Sequence, residues 1–290
     1  MTGCVMVLYN PDAGLLRQAL EALAEQVDRL CLVDNSSQDN LTQIPTIDTL
    51  DYIPLYENRG IAEAQNIGIR HLLGLSCRYI LLADQDSIAS QGLVGELKRR
   101  YRILSRLYDV AAVGPVPINR NTGKAYLRQN DERILRPLQH EGYDFLETHS
   151  IIASFSLISA KALQRTGLMN ERLFIDFVDQ EWCWRARACG QRVFIATDIS
   201  FSHEQGRHLS AFGLNLKVSS PARLYFQIRN LIWLAYNQLA PRSWRRRNMR
   251  KMCYKIIGYP LFIPPRTAYI RSIWRGMRDG IFPSKEQRYE

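Results

Sequence analysis

Two groups of acids in the 290-residue chain have types and spacing suited to chemistry. The first is Asp84-Gln85-Asp86-Ser87, which follows the apolar run Tyr79-Ile80-Leu81-Leu82-Ala83. Two carboxylates one residue apart, just past a strand end, both face a crevice where the backbone turns. Oxygen ligands of this kind suit a hard cation, Mg²⁺ or Mn²⁺, which in turn bridges to phosphates. The competing reading is a solvated turn in which Asp86 or Ser87 caps the next helix.

The second group is Asp176, Asp179 and Glu181, set among Phe174, Ile175, Phe177, Val178, Trp182 and Trp184. Burial beside aromatics raises a carboxylate's pKa and suits a general base. Residues two apart on a helix point ~200° away from each other, so Asp179 and Glu181 do not share one task. Glu181 has an alternative partner in Arg185 at i,i+4, and Asp179 has an alternative role as a first-turn acid favoured by the helix dipole. Asp179 is the better base. A third stretch, His203-Glu204-Gln205-Gly206-Arg207-His208, fails as a zinc HExxH site, because histidines five apart lie roughly 140° around a helix. His203 alone, just beyond a strand, stands either as a further metal ligand or in the structural role more usual for a lone histidine.

These residues need a scaffold, and the hydrophobic pattern supplies one. Strands are predicted at Cys4–Leu8, Leu30–Val33, Asp51–Tyr56, Tyr79–Ala83, Ala111–Val113 and Val193–Ala196. Helices are predicted at Gly14–Gln26, Ile61–Leu73, Leu93–Leu107, Ala160–Thr166 and Asp179–Ala188. Alternating strands and helices mean βαβ units on a mainly parallel sheet. Ligands of such sheets bind at the carboxyl ends of the strands. Three polar turns fall there: Tyr9-Asn10-Pro11-Asp12, Asp34-Asn35-Ser36-Ser37 and Asp84-Gln85-Asp86-Ser87. One polar turn is ordinary; three in one half-chain point to a shared pocket. Residues 114–150 fit either a β-hairpin or acceptor-side loops.

Composition narrows the class. Hydrophobic residues at 46% and charged residues at 23% support a normal folded core and argue against disorder. The six cysteines are scattered without a CxxC pair, which argues against a zinc ribbon, a redox motif or a disulfide framework and fits a reducing compartment. The N-terminus reads as a first strand and not as a signal peptide. No apolar run reaches the 18 residues of a transmembrane helix.

The ordered motifs resemble those of family 2 glycosyltransferases: Val7-Leu8-Tyr9-Asn10-Pro11, Val33-Asp34-Asn35-Ser36-Ser37, Glu57 through Gly68, Asp84-Gln85-Asp86-Ser87, and Phe174 through Arg187. Within that family the chain is most similar to bacterial rhamnosyltransferases that use dTDP-L-rhamnose, over about residues 4–210. The resemblance implies a GT-A fold, an inverting mechanism and a divalent cation. It implies that Tyr9, Asn10 and Asp34 contact the nucleoside, that Asn58 and Gly60 line the diphosphate side, and that Asn66, Asp84 and Gln85 belong to the donor site. Asp86 and His203 match the metal ligands. Asp179 matches the catalytic base, with Val178 where the family commonly carries Glu. Asp176, Glu181, Trp182 and the Ser154–Ser156 segment would shape the sugar and acceptor pocket. A β-linked donor would then yield an α-L-rhamnoside. The same fold with UDP-galactofuranose, UDP-glucose or UDP-GlcNAc is the alternative within the class.

The net charge of +10 is unevenly placed. Residues 1–240 carry 25 Lys+Arg and 25 Asp+Glu, whereas 241–290 carry 13 and 3. The expected organisation is a GT-A domain over 1–215 and a helical, basic, membrane-associating extension over 216–290. Ile270–Met277 interleaves Arg271 and Arg275 with Ile270, Ile273, Trp274 and Met277, the pattern of a basic amphipathic helix on an anionic membrane surface. A helix packed on the body with solvated arginines is the plainer alternative, and a nucleic-acid-binding tail is the alternative of another class; no nucleic-acid recognition module is evident. The acceptor expected is a glycan or a lipid-linked glycan in cell-surface polysaccharide or O-antigen synthesis. The expected location is cytoplasmic and peripheral on the inner face of the membrane, with a second copy of the chain as an open further partner.

Overall fold

The computed structural model of the chain describes residues 1–119, 122–125, 134–203, 208–211, 214–236 and 240–282, with the backbone alone of 203, 208–211 and 214–217. The chain forms two compact units: Met1–Glu171 with Val178–Glu204, and Arg172–Phe177 with Gln205–Glu290.

The first unit is built on one sheet. Its strands are β1 (Thr2–Leu8), β2 (Arg29–Asp34), β3 (Leu50–Pro54), β4 (Tyr79–Asp84), β5 (Val110–Asn119), β6 (Ile134–His140), β7 (Tyr143–Thr148), β8 (Ser156–Ser159) and β9 (Arg192–His203), in the order β3-β2-β1-β4-β8-β5-β9-β7-β6. Helices α1 (Ala13–Ala24), α2 (Ile61–Gly74), α3 (Leu93–Leu104), α4 (Ala160–Thr166) and α5 (Val178–Ala188) accompany it. Strands β1 to β4 are parallel; the apolar runs of β1, β2 and β4 are largely buried, as in a sheet covered on both faces, while β3 at the edge is half-buried. Asp12 caps α1 by accepting from Leu15 N at 2.9 Å. Helix α2 lies so close to the sheet that a Cβ on Gly68 would fall 2.6 Å from Val5 Cγ1, and only glycine fits there.

The other half of the sheet is mixed. β8 runs antiparallel to both β4 and β5, and β7 runs antiparallel to β9. Residues 114–150, ambiguous by composition, contribute an extended β5 and the β6–β7 hairpin. Glu141 and Gly142 form the hairpin turn with φ of 50° and 78°, the two positive values of a type I′ turn.

The second unit contains α6 (Pro221–Tyr236), α7 (Arg242–Phe262), α8 (Arg266–Ile281) and a hairpin of β10 (His208–Ala211) with β11 (Leu214–Lys217). It begins upstream of residue 216 and takes in 172–177 from the middle of the chain. Helix α8 buries Tyr269, Ile273, Gly276 and Gly280 along one stripe and exposes Ile270, Trp274, Met277 and Ile281 along another. Ile273, expected on the outer apolar face, therefore turns inward. Among the described residues no helix is long and apolar enough to cross a membrane.

Candidate active site

Parallel pairing brings three strand ends into line. Leu8 pairs with Asp34, and Val7 with Asp84, so the turns after β1, β2 and β4 open on the same edge. Hydrogen bonds then join them. Asn10 N donates to Ser36 Oγ at 2.8 Å, and Tyr9 N donates to Gln85 Oε1 at 2.8 Å. Asn35 Nδ2 donates to Asn58 Oδ1 at 3.0 Å, and Asn58 Oδ1 also accepts from Gly60 N. Gly60 has φ of 85°, which suits glycine, and it opens α2. Tyr9, Asn10, Asp34, Asn58, Gly60, Asp84 and Gln85 thus lie on adjoining turns at one sheet edge.

Asp34 is almost fully buried. Its carboxylate accepts from Ser36 N at 3.0 Å and Asn40 Nδ2 at 2.8 Å, with the Tyr52 hydroxyl donating at 2.7 Å. Burial pushes this acid up, but the hydrogen bonds from Tyr52, Ser36 and Asn40 outweigh it and hold the group below its ordinary value. Tyr52 and Asn40 escaped the sequence reading, because the aromatic at the middle of β3 looks like any strand residue.

At the end of β4, Ser87 N closes the turn on Asp84 O at 3.2 Å, with Gln85 and Asp86 at the corner. Ser154 Oγ donates to Asp84 Oδ2, which joins the Ser154–Ser156 segment to this turn. Asp86 is exposed, and the N-cap of α3 is Gly92, so neither Asp86 nor Ser87 serves as the helix cap. Among the described residues no three His, Cys, Asp or Glu side chains group as a metal site. Two carboxylates on one turn still fit Mg²⁺ or Mn²⁺, since such ions draw most ligands from substrate phosphates and water. The side chain of His203 lies outside the described residues.

Asp179 occupies the first turn of α5, where its Oδ1 accepts from Gln180 N at 2.8 Å. It lines a small apolar cavity with Leu82 of β4, Ala153, Ser156 and Trp182. The loop ahead of it is clamped from two sides. Asn66 of α2 donates to Met169 O at 2.9 Å and Glu171 Oε1 at 2.8 Å, and accepts from Met169 N. Glu181 holds Arg185 through two hydrogen bonds of 2.8 and 3.1 Å, and Arg185 donates to Thr166 O and Leu168 O, both at 2.7 Å. Trp182 Nε1 donates to Gly167 O at 2.9 Å. Asn66, Glu181 and Trp182 are buried, and these polar groups are engaged in holding the loop.

Asp176 falls in the second unit, paired with Arg223 at 2.8 Å. The segment there is held in an unusual shape: Phe174, Asp176 and Phe177 have φ of 61°, 65° and 69°, conformations that bulky residues rarely adopt. Buried Asn230 secures it by donating to Leu173 O and Ile175 O, both at 2.8 Å, while Arg229 Nη2 donates to Arg172 O at 2.6 Å. Neither was nominated from sequence, although an Arg-Asn pair inside an apolar helix was a visible signal.

Acid-bearing turns gathered at the carboxyl ends of a half-parallel sheet that antiparallel strands continue are the GT-A architecture. Residues 4–167 match the model of Glycosyl transferase family 2. Over 264 residues the chain is 33% identical to the dTDP-rhamnosyl transferase RfbF of Shigella flexneri, covering 89% of this chain and 87% of that protein. Its fold is similar to that of S. aureus TarS in complex with UDP-GlcNAc, with TM-score 0.59 and 13% identity over 96% of this chain and 81% of that one. It is also similar to GalNAc-T7 with UDP, GalNAc and Mn²⁺, with TM-score 0.57 and 14% identity over 90% and 57% of the two chains. The chain belongs to glycosyl transferase family 2.

Proposed function

We propose that the protein is an inverting rhamnosyltransferase that moves L-rhamnose from dTDP-L-rhamnose to a glycan or lipid-linked acceptor in cell-surface polysaccharide synthesis. The supporting observation is the 33% identity to a dTDP-rhamnosyl transferase across 89% of the chain.

In this reading Tyr9, Asn10 and Asp34 hold the nucleoside, with Gln85 fixing the Tyr9 backbone. Asn58 and Gly60 line the diphosphate, facing it with the positive end of the α2 dipole. Asp84 orients the ribose or sugar. Asp86, with His203, would hold Mg²⁺ or Mn²⁺; when bound, the cation supplies charge stabilisation at the diphosphate. Asp179 takes the proton from the acceptor hydroxyl. That oxygen attacks the anomeric carbon from the face opposite the diphosphate, the C–O bond to the diphosphate breaks, and the centre inverts. The basic outer face of α8, with Trp274 and Ile270 exposed, supports an association with an anionic membrane surface.

The test is a pair of measurements on Asp179→Asn. Transfer from dTDP-L-rhamnose is expected to fall by at least 10³-fold, in the range of losing a general base, while dTDP with Mn²⁺ or Mg²⁺ stabilises the variant as it does the wild type. Turnover like that of the wild type removes Asp179 as the base. Better turnover with a UDP-sugar than with dTDP-L-rhamnose removes the donor.

A further inference from the structure

Within the first unit, the sheet edge away from the donor turns gathers three arginines around one acid. β9 runs parallel to β5, and β8 is antiparallel to both β5 and β4, so β9 and β4 share a direction. Arg192 opens β9 at its amino end, whereas Asp84 closes β4 at its carboxyl end. Strand pairing brings the other groups to Arg192. Arg136 of β6 pairs with Glu147 of β7, and the neighbouring Thr148 pairs with Val193 of β9. Arg187 comes from the last turn of α5, and Gly190, with φ of 81°, turns the chain back into β9.

All three guanidiniums reach the same carboxylate. Arg136 Nε donates to Glu147 Oε2 at 2.8 Å, Arg187 Nη1 donates to Glu147 Oε1 at 3.3 Å, and Arg192 Nη1 lies 3.5 Å from Oε2. The Tyr108 ring backs two of them, with the Arg192 and Arg136 guanidiniums 4.3 and 5.9 Å from its centroid. Burial pushes Glu147 up, but the hydrogen bonds from Arg136 and Arg187 and the charges of Arg192 and Arg187 outweigh it and hold the group below its ordinary value. Glu147 is therefore ionised at neutral pH and offsets one cation. None of the three arginines pairs with another carboxylate among the described residues, so two positive charges remain. A single bidentate guanidinium would satisfy one buried acid. The second and third add mutual repulsion that an anion relieves.

These charges border a cavity of ≈ 440 Å³. The acid lies behind and the cations in front: the Glu147 side chain is 7% exposed, against 50%, 24% and 36% for Arg136, Arg187 and Arg192. Gln191 lines the same cavity and is buried; its Oε1 accepts from the Thr166 hydroxyl at 2.7 Å, and its Nε2 has no acceptor among the described residues. Donors and positive charge are thus both in excess, and planar guanidinium forks match the oxygens of a phosphoryl group. Leu135 is the one apolar side chain of the described lining, so no surface there receives an acyl chain.

We propose that this cavity binds the phosphoryl group of a soluble phosphate monoester or of diphosphate, as a second anion site on the unit that bears the donor turns. A ligand there sits at the opposite end of the strands and does not compete for those turns.

The experiment titrates inorganic diphosphate into the full chain by calorimetry in EDTA, which strips the divalent cations through which the acids at the donor turns would hold the probe. Wild type is expected to bind it saturably. Arg136→Gln with Arg192→Gln leaves Arg187 balanced by Glu147, and is expected to weaken binding on the order of tenfold or more, the loss of one or two charge-assisted hydrogen bonds. Arg17→Gln with Arg70→Gln, an equal loss of charge at exposed positions of α1 and α2, is expected to change it by less than about twofold. Asp86→Asn is expected to leave it unchanged. Thermal unfolding like that of the wild type certifies each fold. If the double variant unfolds, the single Arg136→Gln, whose side chain is half exposed, carries the test, with a loss of about threefold or more expected. Absence of saturable binding, or wild-type affinity in the folded arginine variants, overturns the proposal. Binding altered by Asp86→Asn as strongly as by the arginine pair moves the probe to the donor turns and overturns it too. Phosphatidic acid vesicles that displace the probe at equal phosphate concentration overturn the soluble ligand. None of these outcomes depends on which donor sugar the enzyme uses.

Discussion

Asp34 is a buried carboxylate at the strand edge proposed to hold the nucleoside, and its hydrogen bonds bear on stability. Three donors converge on a carboxylate with almost no exposure, and their hydrogen bonds hold it ionised despite burial. Its folded value is depressed, so its contribution is fully present above the unfolded value near 3.8 and is lost as pH falls through the lower folded value. Stability measured by denaturant unfolding is therefore expected to drop in that acid window, and Asp34→Asn should remove that component of the drop. The same variant should cost about 1–3 kcal/mol at neutral pH, because an amide places donors against donors, and should weaken dTDP binding. At this scale the sequence exposed acids at strand ends well. It did not separate crevice residues from supports. Asn66 and Glu181 are polar residues on amphipathic helices, and only tertiary packing shows that Met169 and Arg185 engage them.

Among the elements, α6 carries the least expected burden. Its buried Asn230 is the main fastening of a segment with three left-handed residues, each costing on the order of 1 kcal/mol or more when unsupported. Asn230→Ala leaves two buried carbonyls without this donor and is expected to lower unfolding stability by about 2–3 kcal/mol. It should also lower kcat more than it raises the KM for dTDP-L-rhamnose, since the segment runs straight into Asp179. Retained kcat would show that the backbone there holds its shape unaided. The elements of the first half were legible because short apolar runs alternate with Gly, Asn and Asp turns. β6 was not, because Ile134–His140 is a largely exposed strand with Arg, Pro, Gln and His and has no buried face to impose alternation.

For the molecule as a whole, the charge excess in residues 241–290 meets a surface in which apolar and basic side chains are interleaved. On α8, exposed Ile270, Trp274 and Met277 lie among exposed Arg271 and Arg275. Replacing both arginines by Gln is expected to weaken binding to phosphatidylglycerol vesicles on the order of tenfold at low salt. The difference should vanish near 1 M salt, where screening reaches about 3 Å. Co-sedimentation across a salt series measures both. The basic excess of the tail was legible from charge counting and its helix from the spacing of Ile270–Met277; the two-striped character of α8 was not, because sequence cannot tell which apolar stripe finds a neighbour.

The assignment of 172–177 to the second unit has a consequence for how such an enzyme is inherited and rebuilt. The chain passes between the units at three places, after 171, after 177 and after 204. A tail exchanged between relatives as one C-terminal cassette brings its own Arg229 and Asn230 but leaves behind the segment they hold. Recombination at residue 204 therefore joins two halves of a single fitted contact that have different histories. The tail and the six residues before α5 form one compact unit, although almost thirty residues of sheet and helix separate them in the sequence.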